Sequence, residues 1–234
     1  MNQPLNHFDF INGEVLLFDK PLDWTSFDVV NRIRNLICKN LKVKKIKVGH
    51  AGTLDPKATG LVVLCTGKST KNIDSIQAEG KEYLATIKLG AITPSFDLES
   101  DESEIFPTEH ITIELIKEKL KQFIGNVEQI PPVFSAIKVN GKRAFDYARE
   151  GKDLEMKSRI IQINEIEIIR FEMPELVLKI SCGKGTYIRS LARDLGESLQ
   201  SGAYLIGLRR TKIGDQLVEN AWTIENFEKY LALM

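Results

Sequence analysis

The stretch GHAGTLDPKATG (49–60) runs directly into GLVVLCTG (60–67), an apolar segment bounded by glycines. A short, continuous apolar run of this kind is typical of a buried strand. The glycines of the first stretch allow tight backbone paths around its one carboxylate, Asp55. Pro56 favours an extended backbone at Asp55 and removes a local amide donor. Together the two segments predict a buried strand preceded by a loop built around a single acidic residue.

The glycines of this loop do not follow a nucleotide-binding pattern. The chain contains neither GxGxxG nor a GxxxxGK[ST] that ends at a phosphate-binding lysine, which excludes a Rossmann or P-loop site. A single aspartate between Leu54 and Pro56 is most often a turn or capping residue. On these residues alone, a structural and a catalytic role for Asp55 both stay open.

The composition is that of an ordinary globular protein. Of the 234 residues, 43% are hydrophobic and 27% charged, and 32 basic residues balance 32 acidic ones. A chain of this length buries roughly 70–75% of its unfolded surface, so no cofactor is needed to supply a core. No apolar run approaches the ~18 residues of a membrane span, and residues 1–10 lack the order of a signal peptide. We therefore expect a soluble, cytoplasmic protein.

The cysteines and histidines are too few and too scattered to form a metal site. Neither residue type shows CxxC, HExxH or HxxxH spacing, which argues against disulfide frameworks and zinc sites. We therefore expect no metal. The residues concerned are Cys38, Cys65, Cys182, His7, His50 and His110.

Hydrophobic periodicity predicts strands and helices interspersed along the chain. Strand patterns lie at 11–18, 60–67, 82–89, 160–169 and 175–182. Helical patterns begin at Thr25/Ser26, with the apolar face Phe27, Val30, Ile33 and Ile37, and cover 111–124, 188–199 and 224–233. We expect a loop at 90–101, an Asn140-Gly141 hairpin with a short helical tail, and a turn at 202–207. Because no regular βαβ rhythm is present, the pattern predicts one α+β domain, residues 1–234, with a mixed, mainly antiparallel sheet.

Charge is distributed unevenly although the net charge is zero. Residues 39–47 contain five lysines, and 179–212 contain seven basic residues against two acidic ones. Residues 97–104 hold five acidic side chains. These segments are either ordinary solvated faces or, for the basic ones, a local surface that faces phosphates.

Five sequence blocks carry a family resemblance. The loop at 49–61 has the form GHxGxLDPxAxGL, with Asp55 as its aspartate. The other blocks are Lys20-Pro21…Thr25-Ser26, Lys81-Glu82-Tyr83, Pro131-Pro132…Ser135-Ala136…Lys138…Gly141-Lys142, and Gly183-Lys184-Gly185-Thr186-Tyr187-Ile188-Arg189. With these five blocks in this order, the chain resembles the TruB family of bacterial tRNA pseudouridine synthases, which modify the uridine at tRNA position 55 in the T arm.

The resemblance implies the pseudouridine-synthase fold, with helices and RNA-binding loops around the central sheet, and isomerisation without a cofactor. The C1′–N1 bond of a uridine breaks and C5 bonds to C1′, which is work for an ionised carboxylate. Asp55 matches that residue, and Arg189 matches the cation that offsets its desolvation. Whether the carboxylate attacks C6 or C1′, or a glycal forms, stays open. As an alternative, Arg189 is an ordinary helix-surface arginine.

The target base must leave its stack before it can react. Tyr83 matches the family tyrosine that stacks on the uracil and helps to remove a proton. Tyr187 and Leu208 match further pocket positions, although Tyr187 is equally explained as an aromatic at a strand edge. His50 is expected to occupy the vacated stack. Lys20 is either a basic residue near the active site or a strand terminator.

The remaining basic residues are expected to bind the T-arm stem-loop of tRNA, which is recognised by its shape and phosphates. Lys138, Lys142 and Arg143 lie in a segment that matches a family insertion folded over the T loop, and a solvated hairpin is the alternative. With about five neutralised phosphates, binding should weaken steeply with salt. We expect a monomer with no protein partner and no membrane contact.

The chain departs from the family in one respect. Family members commonly continue into a small C-terminal RNA-binding domain of the PUA type, which we expect to be absent here. Two consequences stay open: a lower affinity for tRNA, or compensation by the lysines at 39–47. Two other functions stay open: a guide-RNA-dependent relative that works inside a ribonucleoprotein, and an RNA chaperone. The complete set Asp55, Tyr83 and Arg189 argues against chaperoning alone.

Overall fold

The computed structural model describes residues 8–139, 141–152 and 154–233. The strands are β1 (Val15–Lys20), β2 (Val48–His50), β3 (Ala58–Thr66), β4 (Lys81–Leu89), β5 (Ala91–Ile92), β6 (Glu104–Ile105), β7 (Gly125–Gln129), β8 (Lys138–Val139), β9 (Lys142–Arg143), β10 (Arg159–Glu172), β11 (Glu175–Cys182), β12 (Ala203–Ile213) and β13 (Gln216–Leu217). The α-helices are α1 (Ser26–Leu41), α2 (Ile73–Ala78), α3 (Ile113–Leu120), α4 (Ala144–Arg149), α5 (Ile188–Ser198) and α6 (Ile224–Ala232). Some sequence predictions fall outside the described residues. They concern residues 1–7, where no signal peptide is expected, Asn140 of the predicted hairpin, and Met234.

The chain forms two compact units. The first comprises the described residues up to Lys81 together with those from Arg209 onward, and the second comprises Glu82–Leu208. Strand β12 contributes its first residues to the second unit and its last residues to the first. The expectation of one domain without a PUA-type module stays a prediction.

In the first unit, β3 pairs with two other strands. It pairs antiparallel with β1, from Val15↔Cys65 to Lys20↔Gly60, and β2 also pairs with it antiparallel. The side chains at 61–65 are completely buried, which confirms the predicted buried strand. β1 begins only at Val15, so the strand predicted at 11–18 starts four residues too early.

Helix α1 confirms the predicted cap but not the whole predicted apolar face. Thr25 accepts from the Asp28 amide, and Asp28 reciprocates at the Thr25 backbone, forming a capping box. Phe27 is 60% exposed, and the buried stripe is instead Ser26, Val29, Val30, Ile33 and Ile37. Hydrogen bonds from Ser26 to the Asp55 loop fix the rotation of the helix, and this rotation leaves Phe27 outside the stripe.

In the second unit, β10 and β11 form the predicted antiparallel pair, and β7 pairs antiparallel with the other edge of β10. β11 is followed in strand order by β4 and then by the first part of β12. Every register above is antiparallel, and one isolated parallel bridge, Phe18↔Trp222, occurs in the first unit. The predicted α+β class with a mixed, mainly antiparallel sheet is therefore confirmed.

The turn predicted at 202–207 is wrong, because β12 runs through Gly207 without a break. The chain reverses earlier, at Gln200, whose φ is 53°. Ala203 and Leu205 are buried, so this segment gains more from strand packing than from a turn. A Cβ at Gly207 would lie 3.4 Å from Thr86, at van der Waals contact, so this glycine packs against a neighbouring strand as any other residue of β12 would.

The other loop predictions are partly confirmed. β8 and β9 pair as a hairpin, from Lys138↔Arg143 to Val139↔Lys142, and α4 follows as the short helical tail. The predicted loop at 90–101 contains the short strand β5, after which Thr93, Ser95 and Asp97 are buried. Among the described helices, none has the length and apolar character needed to cross a bilayer.

Candidate active site

Asp55 lies in the seven-residue loop between β2 and β3. The loop is shaped by Gly52, whose φ of 99° suits glycine, and by a turn in which the Ala58 amide donates to the Asp55 carbonyl at 3.1 Å. Leu54 is buried beside the aspartate, whereas Asp55 itself is half-buried. The loop therefore packs its apolar residue into the core and leaves the aspartate partly accessible.

The segment before α1 braces this loop. The Ser26 hydroxyl accepts from the Leu54 amide at 2.8 Å and donates to the Leu54 carbonyl at 3.1 Å. The Asp23 amide donates to the Pro56 carbonyl at 2.9 Å. The residues on either side of Asp55 are thus both hydrogen-bonded to the short segment 23–26, in which α1 begins.

Lys20 ends β1 as a completely buried ammonium. Its Nζ donates to the carbonyls of Pro21 at 2.9 Å, Trp24 at 2.6 Å and Pro56 at 3.3 Å. Burial lowers the pKa of Lys20 to about 8, and the negative charge of Asp55 opposes that shift. Lys20 terminates the strand and also places a positive charge beside the Asp55 loop, and its role at an active site stays a prediction.

Arg210, on β12, holds the same loop from another direction and was not predicted as a site residue. Its Nη1 donates to the Thr53 carbonyl and its Nη2 to the Gly52 carbonyl, both at 3.2 Å, and its Nε donates to the Leu61 carbonyl at 2.8 Å. The side chain is 1% exposed. One sequence signal could have found it, because strand alternation turns one residue of an Arg-Arg pair inward.

His50 ends β2 and is half-buried. Burial lowers the pKa of its imidazole, and the positive charge of Arg210 lowers it further, whereas the backbone of Gly52 raises it. The ring is therefore neutral near pH 7. Its proposed place beside the vacated base stack stays a prediction.

In the second unit, Arg189 is a buried residue of α5. It is 4% exposed, which makes the alternative of an ordinary helix-surface arginine wrong. Its guanidinium donates to the carbonyls of Ser95 at 3.3 Å and Phe134 at 3.0 Å, and lies 3.5 Å from a carboxylate oxygen of Asp97. Asp97 is itself buried and was assigned by sequence only to an acidic loop. Nothing in the sequence around Asp97 indicates that this residue is buried.

The aromatic and apolar candidates of the second unit lie on three elements. Tyr83 is a nearly buried residue of β4, and Leu208 is half-buried in β12. Tyr187 precedes α5 rather than ending a strand, so its strand-edge interpretation is wrong. Its ring lies 4.8 Å from the Arg159 guanidinium, and its amide donates to Gln129 Oε1 at 2.9 Å.

The β8–β9 hairpin presents basic side chains of different availability. Lys138 and Arg143 are exposed, and Arg143 lies over the Phe145 ring at 5.6 Å. Lys142 forms an ion pair with Glu150, and that hydrogen bond raises the pKa of the lysine. Lys138 and Arg143 are therefore better placed to meet a phosphate than Lys142 is.

Each unit brings part of the predicted set together. In the first, Lys20, His50 and Asp55 share one loop cluster with Arg210. In the second, Arg189 is anchored by Asp97. The expected pairing of Asp55 with Arg189 stays a prediction. Within the ranges that the structure describes, no group of three His, Cys, Asp or Glu side chains is placed to hold a metal ion.

Comparison with known proteins gives consistent matches over nearly the whole chain. A model described as "TruB family pseudouridylate synthase (N terminal domain)" matches residues 39–188, and one described as "tRNA pseudouridylate synthase B C-terminal domain" matches 189–234. A Phocaeicola vulgatus protein named tRNA pseudouridine synthase B is 59% identical, with 95% of each chain covered. A Flavobacterium johnsoniae protein of the same name is 51% identical over 95% of this chain and 98% of that one.

Solved structures share the fold. One, titled "Crystal Structure of a Cbf5-Nop10-Gar1 Complex", matches with a TM-score of 0.68 and 28% identity, covering 94% of this chain and 55% of that one. Another, of an "H/ACA RNP bound to a substrate RNA containing 2'-deoxyuridine", gives 0.65 and 26%, covering 94% and 53%. This chain spans about half the length of both. These findings confirm the expected pseudouridine-synthase fold, and the chain belongs to the TruB family of pseudouridylate synthases.

Proposed function

We propose that this chain isomerises uridine to pseudouridine in tRNA, at the T-loop uridine of position 55, with Asp55 as the catalytic carboxylate. The substrate class rests on the relatives named tRNA pseudouridine synthase B, which match over nearly their full length. The finer assignment rests on the five sequence blocks. A tRNA substrate also implies a cytoplasmic enzyme.

The observation that carries the role of Asp55 is the bracing of its loop. Backbone groups of Leu54 and Pro56 are held by Ser26, Asp23 and Lys20, while the aspartate side chain is left half-buried. A turn or capping aspartate needs no such support. A carboxylate that reacts with a bound base needs a fixed position, because a small misplacement is costly in rate.

The reaction needs a nucleophilic or stabilising carboxylate and a base. As the C1′–N1 bond breaks, the Asp55 carboxylate attacks or stabilises C6 of the uracil or C1′ of the sugar. The uracil turns, C5 bonds to C1′, and the C5 proton leaves while N1 gains one. In this proposal Tyr83 stacks on the ring and helps to remove the proton, and Arg189 supplies the positive charge that the carboxylate requires.

The other residues bind the substrate in this proposal. Tyr187 and Leu208 line the pocket of the flipped base, and His50 fills the space that the base leaves. Lys138 and Arg143 of the hairpin contact phosphates, with Lys142 contributing less because of its ion pair with Glu150. Stacking contributes about 1–3 kcal/mol per base, comparable with the cost of flipping.

The test is tritium release from C5-labelled uridine in a T-arm hairpin RNA. Wild-type protein should release the label only when the uridine occupies its natural position, and shifting it by one nucleotide should abolish release. Asp55→Asn should abolish release and leave RNA affinity nearly unchanged. Asp74→Asn, an exposed aspartate of α2, is the matched control and should behave as wild type. Substantial turnover by Asp55→Asn would contradict the role of Asp55.

The same assay separates the alternatives. A guide-RNA-dependent enzyme would be inactive on free hairpin in the absence of other RNA and protein, whereas the proposed stand-alone enzyme is active. A chaperone would bind and refold tRNA without releasing tritium. Chaperoning as a second activity would survive in Asp55→Asn, which makes that variant the reagent for testing it.

A further inference from the structure

All five backbone carbonyls from Gly52 to Pro56 accept hydrogen bonds. Arg210 donates to those of Gly52 and Thr53, and the Ser26 hydroxyl donates to that of Leu54. The remaining two, of Asp55 and Pro56, accept from the Ala58 amide and from the Asp23 amide and Lys20 respectively. An irregular loop rarely has its backbone so completely satisfied by the protein itself. The arrangement fixes the path of the chain on both sides of the aspartate.

Arg210 has the largest share of these contacts and is the least expected residue among them. Its guanidinium is buried, and in the described part of the chain its hydrogen-bond partners are carbonyls, with no carboxylate within ion-pair distance. Lys20, a second buried cation, approaches the same loop and raises the electrostatic cost. An apolar side chain of similar volume would normally be the more stable choice in such a place.

The contacts themselves indicate what this costly residue does. The three guanidinium nitrogens bridge the upstream turn of the loop, at Gly52 and Thr53, to Leu61 in the rigid strand β3. Asp55 lies between these two attachment points. The planar fork of arginine reaches all three carbonyls at once, whereas a lysine is a point charge and cannot reproduce that geometry.

We infer that Arg210 is a positioning residue for the pseudouridine synthase reaction, which locks the Gly52–Thr53 turn onto β3 so that the Asp55 carboxylate is held at its reacting position. This inference rests on the proposed catalytic role of Asp55. It predicts that the fork, and not only the positive charge, is needed for turnover.

The experiment compares Arg210→Lys and Arg210→Met with wild type in single-turnover tritium release, RNA binding and thermal unfolding. We expect release by both variants to slow by about 10²-fold, the usual cost of a displacement of about 1 Å, with hairpin affinity within about threefold of wild type. A merely structural role would lower the unfolding temperature and leave the release rate of the folded protein unchanged. Full activity of Arg210→Lys would overturn the requirement for the fork.

Arg209→Lys is the matched control. Arg209 precedes Arg210 on β12, is partly exposed and forms a bidentate ion pair with Asp19, at 3.0 and 2.7 Å. Arg209 contacts none of the loop carbonyls from 52 to 56, so the Arg209→Lys variant should release tritium at a rate close to that of wild type. An equal decrease in the rate of tritium release in Arg209→Lys and Arg210→Lys would overturn the inference.

A second variant keeps the test valid if Arg210→Met does not fold. Gly52→Ala leaves Arg210 intact and meets no close neighbour, but the φ of 99° strains any residue with a Cβ and shifts the turn. We expect slower release with unchanged RNA affinity, and an unchanged release rate would overturn the inference. Failure of the proposed function is distinguishable, because it would appear as turnover by Asp55→Asn in the otherwise unaltered protein.

Discussion

The Ser26 hydroxyl satisfies both backbone groups of Leu54, accepting from its amide at 2.8 Å and donating to its carbonyl at 3.1 Å. The first residue of α1 is thereby joined to the residue that precedes Asp55. Thr25 performs the capping of the helix, which leaves the hydroxyl of Ser26 available for the loop. Two adjacent hydroxyl residues, which look interchangeable in sequence, thus have separate tasks.

Replacing Ser26 should therefore affect both stability and turnover. Ser26→Ala leaves the buried amide and carbonyl of Leu54 without their partner, and we expect a loss of about 1–3 kcal/mol in the free energy of unfolding. Tritium release should slow as well, because the loop next to Asp55 is less constrained. Urea unfolding and single-turnover release measure the two effects. Ser75→Ala removes an exposed hydroxyl that donates to the Asn72 carbonyl, and should change stability by less than about 0.5 kcal/mol.

Asp97 should matter as the buried partner of Arg189. Asp97→Ala removes the carboxylate 3.5 Å from the guanidinium, and deleting one partner of a buried ion pair typically costs about 3–5 kcal/mol. Asp97→Asn keeps the volume, so we expect a smaller loss of stability but clearly slower tritium release, since Arg189 loses this charged contact and keeps those to Ser95 and Phe134. Denaturant unfolding and the release assay measure these changes. Asp101→Asn, exposed in the same segment, is the control, and equal effects of the two Asn variants would contradict this role for Asp97.

The sequence predicted most of the elements because their signals are local. The run at 60–67 is apolar throughout and became the buried strand β3, and Thr25 with Asp28 formed the helix cap that their spacing indicates. Asp55 stood out through the motif around it. Arg189 was selected by its block alone, since nothing in its neighbours indicates that it is buried.

What sequence did not predict depends on contacts distant along the chain. Phe27 looked like a core residue until the bonds of Ser26 fixed the rotation of α1. Gly207 resembled a turn residue, although it lies inside β12 and packs against Thr86 of a neighbouring strand. Asp97 and Arg210 are buried by partners about 90 and 150 residues away, a relation that periodicity cannot express.

The buried ammonium of Lys20 predicts an unusual dependence of stability on pH. Its pKa falls from 10.5 to about 8 on folding, so the folded state binds fewer protons than the unfolded state between these values. Stability should therefore rise with pH from 8 to 10.5, by up to about 3 kcal/mol, and be lost again as the pH falls towards 8. The measurement is the free energy of unfolding across this range, relative to Lys20→Met. An identical pH dependence in both proteins would contradict the shift.

Turnover should change in the opposite direction over the same range. A neutral amine has two N–H groups for three carbonyls, and the longest contact, 3.3 Å to Pro56, is the one we expect to weaken. Tritium release should then slow as the pH passes 8 while the protein becomes no less stable. Release that stays constant to pH 10 would show that this contact is not needed.

The lysines at 39–47 should carry part of the tRNA affinity. Lys44 and Lys45 are exposed between α1 and β2, in a segment with five lysines and no acidic residue. Reversing both charges should weaken binding of full-length tRNA at every salt concentration and reduce the slope of log K against log salt by about 1.4, from ~0.7 per phosphate contact. Lys117→Glu/Lys121→Glu makes the same change in net charge at exposed positions of the α3 region and should leave the slope unaltered. A non-specific effect of net charge would weaken tRNA binding by both double variants alike, whereas a local contact would weaken binding only by the Lys44/Lys45 variant. Equal tRNA affinity of the two double variants would therefore show that the lysine segment does not contact the RNA.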